Sequence, residues 1–233
     1  MFQMMSRTGA DHAARNMENQ DVVQGKTSRG FSVITLADGV STCQQALCGA
    51  QAACSAVTDL LIHKGEYFLS FAPKDTALFI TSHVLRELRE IAAEHHQAAE
   101  EYSSTVASVL YDAKHRRMLY WNLGDSMIFT VGKKGCRVLS APADSRGGCP
   151  VTTTKNAQNA VDTAVIDAAE IEAVMICSDG AWRQMTQQHR LNGTVTELLM
   201  RRDYQGLCSY LEKCGSADDC SFIAMGIAVP KGV

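Results

Sequence analysis

The chain has 233 residues, 46% of them hydrophobic and 20% charged, with a net charge of −3. That length suits one domain with a sizeable core. The slight acidity gives no electrostatic footing for nucleic acid or a membrane surface, and the absence of a long unbroken apolar run predicts no membrane-spanning helix.

The opening MFQMMSRTGADH has no basic region followed by an apolar one, so no secretory signal is read there. The nine cysteines, at 43, 48, 54, 136, 149, 177, 208, 214 and 220, include no C-x-x-C pair, which argues against a zinc ribbon. Cys54 and Cys177 sit in apolar segments as small hydrophobes. The expectation is free thiols in a reducing cytoplasm, with no structural disulfide.

A polar loop, DHAARNMENQD, precedes a strand predicted over 20–25. A second strand follows at 31–37, in the stretch FSVITLADGVS. It is too short for a helix and rich in Val, Ile and Thr. Gly39 allows a sharp turn after it, so Asp38 stands at the end of a rigid element. Gly25-Lys26-Thr27 is not a phosphate loop, because position 20, where the first glycine belongs, is Gln20. Small residues at helical spacing predict a helix over 42–63, capped by Ser41 or Thr42. Pro73 begins a second helix, to about 100, with Leu78, Val84, Leu85, Leu88 and Ile91 as its apolar stripe.

The pattern then turns to short strands at 105–111, 118–123 and 127–131, read as an antiparallel meander. Residues 140–161 carry Pro142, Gly147-Gly148 and Pro150 and are expected to form a surface loop or small flap. Strands are predicted at 162–166 and 173–178, helices at 179–188, 194–202 and 204–214, and a last strand at 220–229.

Asp38, Asp125, Asp179 and Asp218 lie beside strand ends or starts, and Asp21 precedes another apolar pair. If those termini converge, the carboxylates repel one another until a cation neutralises them. Oxygen ligands without His or Cys suit Mg²⁺ or Mn²⁺.

Six motifs occur in one order: Arg15 with Asn19-Gln20-Asp21, Ala37-Asp38-Gly39, Ser103-Ser104-Thr105, Asn122-Leu123-Gly124-Asp125-Ser126, Cys177-Ser178-Asp179-Gly180 and Asp218-Asp219-Cys220-Ser221. Over residues 6–228 the chain resembles the metal-dependent protein phosphatases of type 2C, in a small bacterial form. The resemblance implies an α+β fold of two packed antiparallel sheets flanked by helices on both faces. It implies hydrolysis of phosphoserine and phosphothreonine in proteins by a metal-activated water, with no phosphoenzyme. By the same resemblance Asp38 bridges two ions, Mn²⁺ or Mg²⁺, and the Gly39 carbonyl binds one of them. Asp179 and Asp218 complete the other shell, and Asp21 acts through water. Asp125 matches the place of a third, weaker ion, and Arg15 matches the arginine that grips the substrate phosphate. The implied partner is a phosphorylated protein, the substrate of a cognate Ser/Thr kinase, met by a monomer.

The chain departs from the family pattern at Gln20, where an acid is usual, and at Val40-Ser41-Thr42, where no histidine follows Gly39. Aligning Ser221 with the family's fourth position makes Asp218 the ligand. It gives Asp219 a structural or outer role, accepting backbone hydrogen bonds, at a position where the family usually has an amide, so Asp219→Asn, which restores the commoner residue, is expected to be mild. Two alternatives remain. A silent phosphatase fold that binds a phosphoprotein shares every motif. A serine hydrolase at Ile176-Cys177-Ser178-Asp179-Gly180 lacks the glycine its elbow needs.

Overall fold

The computed structural model describes residues 2–142, 148–187 and 190–227. One sheet contains β2 (Asp21–Ser28), β3 (Phe31–Gly39), β4 (Ser104–Asp112), β5 (Arg117–Leu123) and β8 (Asp162–Asp167), in that order across the sheet. The other runs β1 (Phe2–Arg7), β12 (Cys220–Gly226), β9 (Ile171–Cys177), β6 (Met127–Gly132), β7 (Gly135–Ser140). All pairings are antiparallel among the described residues. A two-residue hairpin, β10 (Thr186–Gln187) with β11 (Arg190–Leu191), stands apart.

Three apolar layers hold four structural layers together. Ile34, Leu36, Val109, Ile128, Val174, Ile176 and Ile223 fill the space between the sheets. Val33, Ala37, Val106 and Leu110 face the other way, against α2 (Ala46–Phe68) and α3 (Pro73–Glu94). Met175, Cys177, Phe222 and Ala224 pack against α4 (Asp179–Met185), α5 (Gly193–Arg201) and α6 (Tyr204–Cys214). Because β3 and β4 are covered on both faces, they read as continuous apolar runs rather than alternating ones. Asp38 sits where that double cover ends. The observed fold is the expected α+β sandwich with helices outside both sheets.

Several expectations need correction. Sequence reading missed β1, the short α1 (Ala10–Ala14) and β7. The three-strand meander is not formed: β5 pairs with β4 and β8, whereas β6 crosses to the other sheet and pairs with β7 and β9. Gly124 makes the crossing, with φ of +123°. The first long helix begins at Ala46 rather than at 42 and continues to Phe68, and the second ends at Glu94, followed by a 3-10 turn at Ala99–Tyr102. In α3 the buried row is Ala77, Ile80, Val84, Leu88 and Ala92, while Leu78 is 48% exposed.

The segment 148–161 is not a free flap. Thr152 N donates to Ser104 O (2.9 Å), Ser104 N donates to Thr152 Oγ1 (3.1 Å), and Thr152 is buried. The middle of the expected loop, 143–147, lies outside the described residues, as do 188 and the end of the last strand at 228–229. By length and composition α2 passes as a bilayer-crossing helix, yet its buried residues form part of the core against β3 and β4. All nine cysteines are free.

Candidate active site

The ends of β3 and β9, the starts of β2 and β12, and the 124–126 crossing meet at one edge of the sandwich. Asp21 and Asp38 are direct cross-strand partners, and Asp38 is also opposite Thr105 of β4. Side chains in that relation lie about 5 Å apart at Cβ. Two carboxylates therefore face each other at the mouth of the sheet before any other group is counted.

Burial and mutual repulsion shift these acids upward. The Asp38 carboxyl is raised well above its ordinary value, first by burial and then by the charges of Asp21, Asp179, Asp125 and Asp218. Asp21 is pushed up to about 7, chiefly by burial; hydrogen bonds from Ser178 and Ser221 work against the rise, while Asp219 and Asp179 add to it. The Ser178 hydroxyl donates to Asp21 Oδ2 at 2.8 Å. Asp179 is pushed up to about 6 by burial and by Asp125, opposed by Arg183. The five carboxylates that the sequence singled out, Asp21, Asp38, Asp125, Asp179 and Asp218, are thus brought close enough to feel one another.

The donors fit a hard cation on two observations. Asp21 Oδ1 and Asp179 Oδ1 are buried without any hydrogen-bond partner among the described residues, as are Gln20 Oε1 and Thr105 Oγ1 beside them. Buried polar atoms seldom go unpaired, and carboxylates gathered in this way want positive charge. Among the described residues no three His, Cys, Asp or Glu side chains form a ready-made ligand set for one ion. Water-rich shells, which Mg²⁺ keeps, do not require one. Gly39 has no room for a side chain, since a Cβ there would stand 2.6 Å from the Ala46 carbonyl oxygen.

Next to the carboxylates is a cleft of about 290 Å³, lined by Asp11, His12, Arg15, Ser41, Gly180, Arg183, Gln184, Ser216, Ala217 and Asp218. Arg15 follows α1 at its C-terminal cap, so the structure places it at the cleft beside Asp218. Arg183 was not singled out in the sequence. It pairs with Asp179 Oδ2 at 2.8 Å and lies 4.0 Å from Asp218 Oδ2. Its i+4 spacing from Asp179 on α4 is the signal that would have found it. The exposed Cys149 stands near enough to feel the charge of Asp125. Trp182 Nε1 donates to the Asp125 carbonyl at 2.8 Å, tying α4 to the crossing.

Asp218 and Asp219 part company here. Asp218 is half exposed at the cleft, whereas Asp219 is 3% exposed. Asp219 Oδ1 accepts from Gly9 N at 2.8 Å, and Oδ2 accepts from Gln20 N at 2.6 Å and from His12 Nδ1 at 2.9 Å. The backbone-accepting role expected of Asp219 is present, but the expectation that Asp219→Asn is mild does not suit a carboxylate with three buried donors.

The fold has known counterparts. The chain belongs to the family Protein phosphatase 2C, which it matches over residues 8–214. Among solved structures, a bacterial serine phosphatase is similar with a TM-score of 0.71 at 15% identity, covering 99% of each chain. Serine/threonine phosphatase Stp1 from Staphylococcus aureus gives a TM-score of 0.70 at 14% identity, over 97% of this chain and 94% of that one. RsbX in complex with magnesium gives 0.62 at 12% identity, over 97% and 94%. At these identities the likeness shows the fold. The comparison with curated proteins finds no match.

Proposed function

We propose that this chain is a metal-dependent phosphatase of phosphoserine and phosphothreonine in proteins. The observation that carries the proposal is the convergence of five carboxylates from separate stretches beside an arginine-lined cleft. Asp38 and the Gly39 carbonyl would hold one ion, and Asp38, Asp179 and Asp218 a second. Asp21 would act through water, and Asp125 would hold a third, weaker ion. Mg²⁺ or Mn²⁺ suits this oxygen set, and when bound supplies Lewis acidity and an activated water. RsbX, a protein of similar fold, was solved with magnesium.

The chain's own residues do the remaining work. Arg15 presents a planar fork that matches two phosphate oxygens. Arg183, which lines the same cleft, adds a second positive charge while it restrains Asp179. Ser178 holds Asp21 in a fixed orientation through Oδ2. We place the protein in a reducing cytoplasm, as a monomer acting on the substrate of a cognate kinase; the nine free thiols support the compartment.

The test is phosphate release from a phosphoserine peptide with Mn²⁺ or Mg²⁺, expected to be abolished by a chelator. Full activity in excess chelator would sink the proposal. Asp38→Ala should lower turnover by orders of magnitude while the circular dichroism spectrum is retained. A second reading, a silent fold that binds a phosphoprotein, draws on Gln20 standing where an acid is usual. It demands peptide binding without phosphate release.

A further inference from the structure

We infer that Arg183 limits how tightly the second ion binds: its guanidinium stands in for that ion on Asp179 and Asp218, and competes with it for their charge. This rests on the phosphatase reading above, which gives the second ion Asp38, Asp179 and Asp218. Arg183 Nη2 lies 2.8 Å from Asp179 Oδ2, and Nη1 lies 4.0 Å from Asp218 Oδ2. One guanidinium thus stands against two of the three carboxylates. Asp179 Oδ1, by contrast, is buried without a hydrogen-bond partner among the described residues. The carboxylate is divided, with one oxygen given to Arg183 and the other left open to the cluster.

Two roles for this ion pair predict opposite signs. If Arg183 were needed to aim Asp179, its loss would weaken metal binding. The backbone argues otherwise. Asp179 opens α4, and its carboxylate also accepts a hydrogen bond from the Gly180 amide. A Cβ on Gly180 would stand 2.1 Å from the Asp219 carbonyl oxygen, so this turn is packed hard against 218–219. The main chain therefore places Asp179 without help from Arg183. What Arg183 adds is charge. A guanidinium stays protonated, and this one lies 5.7 Å from the centre of the Trp182 ring, which is itself tied to the Asp125 carbonyl at 2.8 Å. A cation braced against two ligands repels a divalent ion brought to the same carboxylates. Arg183 pairs with neither Asp38 nor Asp21 among the described residues, so the first ion escapes most of this competition. The second site then fills only when free ion is plentiful, and until it does Arg183 relieves the repulsion between Asp179 and Asp218.

The test is Mn²⁺ calorimetry on the unaltered protein, Arg183→Gln and Arg183→Lys. The second ion's step is identified as the one lost in Asp179→Asn. Arg183 is half exposed, so solvent screens its charge, and that step should tighten by about three- to tenfold in Arg183→Gln. Lysine keeps the charge, so Arg183→Lys should stay within about twofold of the unaltered protein. An unchanged or weaker step in Arg183→Gln, or equal tightening in both variants, would overturn the inference alone. An unaltered protein that binds no Mn²⁺ would overturn the phosphatase reading and this inference with it. If Arg183→Gln does not fold, nitrogen-15 spectra of the unaltered protein titrated with Mg²⁺ decide. The Arg183 guanidinium signal is expected to move with the second ion's step. A signal that moves with the first ion's step, or not at all, would refute the competition.

Discussion

Asp218 and Asp219 are sequence neighbours in opposite environments, one at the cleft and one buried among three donors. Asp218→Asn should weaken Mn²⁺ binding measured by calorimetry, since a charged ligand is lost, and leave chelated stability nearly unchanged. Asp219→Asn should act the other way. Its amide nitrogen would face a backbone N–H or His12, breaking a charge-assisted bond and stranding a donor, at a cost of about 1.5–3 kcal/mol. Denaturant unfolding in chelator would show it, and an unchanged midpoint would contradict the three-donor arrangement. The candidate ligands were legible because each stands beside a strand terminus, and at Asp38, Asp125 and Asp179 an Asp-Gly or Gly-Asp pair interrupts an apolar run. The partners of Asp219 were not, because 207 positions separate it from His12 and no local pattern encodes such a meeting.

At the scale of elements, periodicity identifies a strand but not its neighbour. Strands β5 and β6 are both short and apolar, and the Gly124-Asp125-Ser126 link reads as a hairpin turn. The cue against that lies in three dimensions: a Cβ on Gly124 would stand 2.4 Å from Thr105 Cβ, at a φ of +123°. Gly124→Ala is therefore expected to cost about 1–3 kcal/mol from backbone strain, with further loss from the clash, measurable by denaturant unfolding. Near-normal stability would mean that the crossing tolerates a side chain. In α3 the predicted stripe was right at Val84 and Leu88 and wrong at Leu78: the sheet's position turns the row Ile80, Val84, Leu88 and Ala92 inward and leaves Leu78 exposed, which periodicity alone does not decide.

For the whole molecule, the acid cluster sets a pH dependence. Asp21 moves from 3.8 to about 7, and Asp179 from 3.8 to about 6. Between these values the folded state keeps protons that the unfolded chain has released, so this contribution to stability falls as pH rises. In chelator, Tm should drop between about pH 5 and pH 7.5, with Mg²⁺ restoring more at the higher pH, where the carboxylates are charged. A Tm in chelator that rises over that range would count against the cluster. Alkylation without reductant, followed by mass measurement, should label the thiols of a protein with nine free cysteines; a stoichiometric disulfide would refute the reducing compartment.

The Asp219 anchor also bears on the order in which the molecule comes into being. It joins Gly9, His12 and Gln20 to a residue about 200 positions away, and Ala10 N and Asp11 N bond to Ser216 O and Ala217 O. During synthesis the two layers of α2, α3 and the β2–β5 strands can assemble from nearby pieces. The cleft cannot form until residues 216–219 have left the ribosome, and β1 must wait for β12 as its partner. Closing contacts of such separation is slow. A nascent chain can therefore hold a folded body before it has a working cleft, and gains any activity only once residues 216–219 have emerged and met the N-terminal segment.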